Sequence, residues 1–203
     1  ILTTHAVYWP TMLHALGLPR PQTIFAHGWW NVEGIKMSKS LGNVVKPLDL
    51  AGVYGVDAFR YFLFREVPFG LDGDFSLEAM KRRINSELAN DLGNLLARTA
   101  GMAQKYLGGK IERPGSIEDA DRELIARAEK CADEVEKEIE ACAFHKALAS
   151  VWALVNQSNK YIDLTQPFFL AKDPEKKERL QTVMFNLAEA LRRIGEGAAM
   201  IRT

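Results

Sequence analysis

Apolar side chains recur at three- and four-residue steps from residue 76 almost to the end of the chain. This spacing places them on one helix face, and four such stripes follow one another with short connections between them. The stripes are formed by Ile84, Leu88, Leu92, Leu95, Leu96, Thr99, Met102 and Tyr106, by Leu124, Ala128, Cys131, Ala132, Val135 and Ile139, by Phe144, Leu148, Val151, Trp152, Val155 and Ile162, and by Leu180, Val183, Met184, Leu187, Leu191 and Ile194. Four amphipathic helices in series predict an all-α antiparallel helix bundle over residues 76–203.

The first 75 residues have a different character, because glycine, proline and aromatic residues interrupt short apolar runs. Residues 23–26 predict a strand and residues 32–35 a turn. A segment with one proline and two glycines, residues 67–76, is typical of a connector. We therefore expect residues 1–75 to belong to an α/β domain, with the boundary near residue 75.

Composition excludes several broad classes of protein. The 203 residues carry 26 basic and 26 acidic side chains, so any contact with nucleic acid must come from local patches rather than from a bulk positive field. Cys131 and Cys142 lie too far apart along one predicted helix for a disulfide. No Cys/His cluster predicts a zinc site, and no apolar run has the length of a membrane span. These features favour a cytoplasmic protein with no membrane partner.

The strongest motif is the run Lys36-Met37-Ser38-Lys39-Ser40. Two lysines three residues apart, separated by small side chains on a short loop, can approach a polyphosphate and neutralise the charge that develops there. The alternative is an ordinary solvated turn, which is what most lysine-rich loops are.

Together with residues 25–35 before it and Leu41-Gly42-Asn43 after it, this run resembles the second signature of class I aminoacyl-tRNA synthetases. It is similar to the methionyl-tRNA synthetase family in particular. The resemblance implies the C-terminal part of a Rossmann-like catalytic domain with its KMSKS loop, over residues 1–75, followed by an anticodon-binding bundle over residues 76–203. It also implies ATP-dependent activation of methionine and transfer to methionine tRNA, with Mg²⁺ accompanying the ATP and no zinc in this portion.

In the loop, the resemblance implies that Lys39 stabilises the ATP phosphates while the methionine carboxylate attacks the α-phosphorus, and that Lys36 assists. Both lysines are therefore the candidate catalytic residues. The residues implied in ATP binding are His27, Gly28, Lys36, Met37, Ser38, Lys39 and Ser40.

The first ten residues resemble the segment that lines the methionine pocket in this family, with Thr4 at a place where an aromatic residue is usual. His5 and Trp9 are four residues apart, so a helix would put them on one face, as a polar and an apolar wall for a thioether. They are the candidate methionine-binding residues. A simple core pair is the alternative.

Two places in the helical half resemble the family's anticodon-reading residues. Asn94 and Arg98 share one helix face, and an amide and a guanidinium suit unpaired bases. Pro167 and Phe168 form the second place, where the family commonly has tryptophan after the proline, and a phenyl ring can still stack on a base. A solvated helix flank is the alternative for the first place, and a core plug made by Phe168 and Phe169 is the alternative for the second.

The first signature of class I synthetases, a His-Ile-Gly-His type turn, does not occur in these 203 residues. We therefore expect a C-terminal portion that needs the N-terminal part of the catalytic domain as a partner and is inactive alone. Two other functions stay open: a tRNA-binding helical module without catalysis, and a purely structural helical protein. A valine, isoleucine, leucine or cysteine synthetase could share the lysine loop, but residues 27–30 and 69–75 argue against these enzymes.

Overall fold

The computed structural model describes residues 1–202, and the last residue of the predicted helical domain, Thr203, lies outside this range. The chain is mostly helical, with one small sheet. The elements are a π-helical turn Thr4–Tyr8, α1 Trp9–Ala15, β1 Trp30–Val32, β2 Ile35–Lys36, α2 Pro47–Tyr54, α3 Val56–Glu66, β3 Gly73–Phe75, α4 Leu77–Arg83, a π-helical segment Ile84–Gly93, α5 Asn94–Leu107, α6 Asp119–Glu140, α7 Phe144–Thr165, α8 Pro167–Leu170, a 3₁₀ turn Pro174–Lys176 and α9 Lys177–Arg202.

The sheet is built around the hairpin of β1 and β2. These strands pair antiparallel, and the turn between them uses Glu33 and Gly34, whose φ angles are 52° and 76°. The predicted turn at residues 32–35 is therefore confirmed. The other neighbour of β1 is β3, which runs parallel to it. Residues 67–76 were predicted to be a connector, but the structure places strand β3 within them.

The strand predicted at residues 23–26 is wrong. The segment is irregular, and its side chains are exposed, including Ile24 and Phe25. A strand needs a hydrogen-bonded neighbour. Within residues 1–202, the pairings of the sheet begin only at Trp30.

The bundle is formed as its four apolar stripes predict. Helices α6, α7 and α9 surround a core that includes Val135, Val155 and Leu187, all fully buried. The first stripe runs through the π-helical segment and α5, which continue α4, and this long helix ends at Gly108, whose φ is 63°. Leu96 departs from the prediction, since it is 55% exposed next to the fully buried Leu95. Adjacent residues on a helix point in directions about 100° apart, so only one of them faces the core.

One buried polar cluster ties the bundle together. The Asp121 carboxylate has no exposed surface and accepts hydrogen bonds from the Arg179 guanidinium at 2.5 and 3.1 Å, and from the Tyr161 hydroxyl. Although burial raises the pKa of Asp121, the bonds from Arg179 and Tyr161 outweigh it, so the pKa lies below the usual value. Asp121 therefore stays ionised in the core.

The α/β half packs on the bundle through aromatic rings. Tyr61 on α3 contacts Trp152 on α7, with ring centroids 4.7 Å apart, and Phe64 contacts Phe144 at 4.9 Å. The Tyr61 hydroxyl also donates to Glu87. Burial of the hydroxyl is the larger cause, and this bond the second, of a raised pKa of Tyr61. Helix α3 therefore joins the two halves together with Phe69, whose ring lies 5.4 Å from that of Phe144.

Candidate functional site

The lysine loop begins at the end of β2 and is closed by one asparagine. The Asn43 side-chain oxygen accepts from the Ser38 amide at 2.8 Å, and its amide group donates to the Lys36 carbonyl at 3.3 Å. Gly42 completes the loop with a φ of 68° and donates its amide to the Lys39 carbonyl. The backbone is therefore fixed at both ends, and both lysine side chains remain exposed.

The electrostatics of the loop favour an anion. Within residues 1–202, the ion pairs of the protein include neither Lys36 nor Lys39. The Ser38 and Ser40 hydroxyls are 2.8 Å apart, so the loop also presents two hydrogen-bonding groups beside its two cations. Two exposed cations outside these ion pairs and two hydroxyls on one loop can bind a polyphosphate.

His27 and Gly28 lie just before the hairpin, where the structure gives each a packing role. A Cβ on Gly28 would collide with the backbone of Leu71 and Asp72, so the close approach of these two segments requires glycine. The His27 ring stacks on Phe69, with centroids 5.9 Å apart, and its Nδ1 is 2.8 Å from the Gly28 carbonyl. His27 itself is exposed and can still meet a ligand.

Two aspartates that the sequence reasoning missed hold this region in place. Asp72 accepts from the Trp29 amide at 2.7 Å, and Asp74 accepts from the Gly34 amide at 2.9 Å. Asp72, just before β3, holds the residue that precedes β1, and Asp74, within β3, holds the turn between β1 and β2. Their spacing around Gly73 was the available signal, but the sequence alone could not show that β3 lies beside β1.

His5 and Trp9 lie on the first helical segment, as their spacing predicts, and both are exposed. The segments Thr4–Tyr8 and Trp9–Ala15 contain no buried residue, and the core pair stays an alternative for His5 and Trp9. His5 Nδ1 contacts the Ile1 carbonyl at 2.9 Å. The side chains of His5 and Trp9 are both exposed. Among the described residues, neither side chain has a hydrogen bond, ion pair or ring contact with the lysine loop.

The structure brings the two predicted anticodon-binding places together. Asn94 begins α5 and is exposed, and Arg98 lies one turn further on and pairs with Asp163 of α7 at 3.3 Å. Asp163 precedes Pro167 by four residues. Pro167 is buried at the start of α8, whereas Phe168 is 36% exposed.

The neighbouring ring, which the sequence reasoning considered only as part of a core plug, is exposed as well. Phe169 is 54% exposed, lies 4.8 Å from Phe168, and has the Lys172 ammonium 4.9 Å above its ring. The core plug is therefore wrong for this pair of phenylalanines. Exposed aromatic rings are the kind of side chain on which unpaired bases stack.

No cluster of three or more His, Cys, Asp or Glu side chains in the described part of the chain is arranged to hold a metal ion. Among residues 1–202, no helix combines the length and the apolar composition that crossing a bilayer requires. Cys131 and Cys142 are free thiols, as their separation predicted.

An α/β segment with an exposed lysine loop, joined to a helical bundle, is the arrangement of a class I aminoacyl-tRNA synthetase. The family described as tRNA synthetases class I (M) matches residues 1–100, and the anticodon-binding domain of tRNA ligases matches residues 121–195. The class is therefore established by both halves of the chain.

The relatives identify the type. The chain is 55% identical to the methionine–tRNA ligase of Caldanaerobacter subterraneus subsp. tengcongensis over 96% of its length, and 51% identical to that of Bacillus subtilis over 95%. The chain belongs to the methionyl-tRNA synthetase family. It spans 31% of the first relative and 29% of the second.

Solved structures agree with this assignment. Mycobacterium tuberculosis methionyl-tRNA synthetase bound by methionyl-adenylate matches all of this chain with a TM-score of 0.91 and 42% identity. The free form of the same synthetase matches 99% of the chain with a TM-score of 0.87 and 39% identity. The chain covers 42% and 41% of these two proteins.

Proposed function

We propose that this chain supplies the phosphate-binding loop and the anticodon-binding bundle of a methionine–tRNA ligase. The ligase would join the methionine carboxylate to the α-phosphorus of ATP with release of pyrophosphate, and then transfer the methionyl group from the adenylate to methionine tRNA with release of AMP. The N-terminal part of the catalytic domain would act with this chain. The observation that carries the proposal is the exposed pair Lys36 and Lys39 on a loop whose backbone is fixed by Asn43.

In this proposal, Lys39 neutralises charge on the ATP phosphates as the methionine carboxylate attacks the α-phosphorus, and Lys36 assists from the other end of the loop. Ser38 and Ser40 offer hydrogen bonds to phosphate oxygens, while Met37 is half-buried and supports the loop. His27 and Gly28 border the nucleotide. Mg²⁺ would accompany the ATP.

His5 and Trp9 would form two walls of the methionine pocket, and the support for this is their exposure on one helical segment. Asn94, Arg98, Pro167 and Phe168 would bind the anticodon, supported by the contact that joins α5 to α7. The acidic face of α6, with nine Asp/Glu against four Lys/Arg, would stay away from the RNA phosphates.

We also propose that the catalytic segment ends near residue 75 and that residues 76–203 form the anticodon-binding domain. Ser76, whose hydroxyl accepts from the Ala79 amide, caps the helix that opens the second part. Free thiols in a chain of this type support a cytoplasmic location.

The catalytic test uses a chimera of the Bacillus subtilis ligase in which this chain replaces the matched segment. Methionine-dependent exchange of pyrophosphate into ATP, followed by charging of methionine tRNA, is the expected result. A well-folded chimera that performs neither reaction would contradict the proposal.

The RNA test uses the 203-residue chain itself in filter binding with methionine tRNA and with tRNAs altered in the anticodon. We expect Arg98→Ala to weaken binding about tenfold, in line with about 1–3 kcal/mol for a good contact to a base. Arg122→Ala is the matched control, because Arg122 is also an exposed arginine with an aspartate partner, Asp119 at 3.2 Å, but lies on the acidic helix α6. Equal affinity for all anticodons would contradict the proposed reading surface.

A further inference from the structure

The Lys36 side chain has a partner that is not an acid. Its ammonium nitrogen lies 4.5 Å from the centroid of the Trp29 ring. A cation at this distance over an indole face is attracted by the negative charge of the ring, and tryptophan is the strongest aromatic partner for such a contact. Trp29 is 58% exposed, so the indole face is open to the Lys36 ammonium group.

Strand register explains how the two side chains meet. Lys36 pairs with Asn31 across the hairpin, and Trp29 lies two residues before Asn31, on the same face of the strand. Trp29 and Lys36 are therefore diagonal neighbours, a separation that an aromatic ring and a long side chain can bridge.

The two partners differ in how firmly they are held. The Trp29 backbone is fixed on both sides, since its amide donates to Asp72 and its carbonyl accepts from Gly73, each at 2.7 Å. Lys36 has its carbonyl held by Asn43 at 3.3 Å, but its side chain is exposed and contacts only the ring among its described interactions. Trp29 therefore has the more firmly held backbone, and the Lys36 ammonium group is the partner that can move away from the contact.

We propose that Trp29 is a positioning residue for Lys36. Its indole face holds the ammonium group in the loop without phosphate, and a polyphosphate draws that group away from the ring. Because a phosphate offers charge-assisted hydrogen bonds, it competes successfully with an exposed ring for the ammonium group. This inference rests on the proposed function for its ligand, but the resting contact does not depend on it.

The test is carbon-13 NMR of the 203-residue chain after reductive methylation of its lysines, which retains their positive charge. Replacement of Lys36 by arginine assigns the Lys36 signal. We expect this signal upfield of the lysines that lie over no ring, through the ring current of Trp29, and at an ordinary position in Trp29→Leu. Trp29→Phe should retain part of the shift, because a phenyl ring still offers a face.

Ile35→Ala is the matched control. Ile35 is exposed and adjacent to Lys36 in the same strand, so its side chain points to the opposite face of the hairpin. This variant should leave the Lys36 signal upfield. A Lys36 signal that lies at the ordinary position in the unaltered chain, or that does not respond to Trp29→Leu, would overturn the proposal.

Inorganic tripolyphosphate then tests the displacement. We expect the Lys36 signal to move towards its position in Trp29→Leu while the Lys39 signal also shifts. If the Lys39 signal saturates and the Lys36 signal stays upfield, the displacement is wrong although the phosphate loop stands. If neither lysine responds, the displacement is wrong together with the proposed function.

Discussion

The lysine loop and the helical bundle treat positive charge in opposite ways. In the bundle, guanidinium groups are paired with carboxylates, as in Arg179 with Asp121 and in Arg127 with Glu134, both with contacts at 2.5 Å. In the loop, Lys36 and Lys39 take no part in the ion pairs described for residues 1–202, and one of them rests on an indole ring. Arg179 joins α9 to the start of α6, whereas both loop lysines are exposed and lie outside the described ion pairs.

The same contrast applies to the backbone. The bundle consists of long helices whose buried apolar faces hold them in place, including the 22-residue helices α6 and α7. The loop follows a two-residue strand and depends on side chains to fix it, chiefly Asn43, Asp72 and Asp74. Variants of the bundle should therefore change stability, and variants of the loop should change activity.

The largest effect on stability is expected for Arg179→Met. Removing the guanidinium leaves the Asp121 charge buried without its strongest partner, which costs on the order of 3–5 kcal/mol of unfolding free energy. Urea unfolding of the chain measures it. Arg122→Met, which removes an exposed pair, should change the same quantity by less than about 1 kcal/mol. Equal effects of the two variants would contradict the claim that the buried pair of Arg179 and Asp121 stabilises the bundle.

A smaller effect, on RNA binding rather than stability, is expected for Phe168→Ala. Stacking of a base on an aromatic ring contributes about 1–3 kcal/mol, so affinity for methionine tRNA should fall by roughly tenfold. The ring is only half-buried against Phe169, so unfolding should change little. Filter binding measures the affinity, and Leu48→Ala, which alters an exposed apolar residue of α2, is the control. A loss of stability without a loss of affinity would contradict base stacking on Phe168 and would show that the ring has a packing role.

For Asn43→Ala we expect an effect of about 1 kcal/mol on activation, the usual contribution of a hydrogen bond. The variant removes both bonds that close the lysine loop, so pyrophosphate exchange by the chimera should slow roughly fivefold to tenfold. The unfolding free energy of the bundle should not change. Val44→Ala, at the next and exposed position, is the control. Unchanged kinetics would show that the loop needs no closure.

The smallest change is expected between pH 7 and pH 5. Because the folded pKa of Asp121 is lowered, its carboxylate stabilises the folded state fully above its unfolded pKa of about 3.9. That stabilisation is lost only as the pH falls through the lowered folded pKa. Urea midpoints between pH 7 and pH 2 measure it, with Asp121→Asn as the comparison. A loss that begins near pH 6 in both proteins would exclude Asp121 as its source.

The sequence predicted the bundle well because periodicity reports directly on burial. The stripe that contains Val155 and the stripe that contains Leu187 both enter the core. The predictions from sequence that failed depend on contacts between distant segments. Residues 23–26 have the composition of a strand but no paired neighbour in the sheet, and β3 is too short to be distinguished from a connector until it is seen beside β1.

For the site, the motif predicted which side chains face outward but not what holds them. Lys36 and Lys39 are exposed, and Arg98 pairs with Asp163 of α7, four residues before Pro167. The contact of Trp29 with Lys36 depends on strand register, which a local motif does not specify. The predicted roles of all these residues stay predictions until the variants are measured.

The most direct test of the account is Lys39→Ala in the chimera. Loss of a cation placed where charge develops should lower kcat for pyrophosphate exchange by roughly 10²–10³-fold, about 2–4 kcal/mol, with no change in unfolding. Lys46→Ala, an exposed lysine just beyond the same loop, should leave kcat within about twofold. Equal rates for Lys39→Ala and Lys46→Ala would contradict the claim that the loop keeps its cations for a polyphosphate.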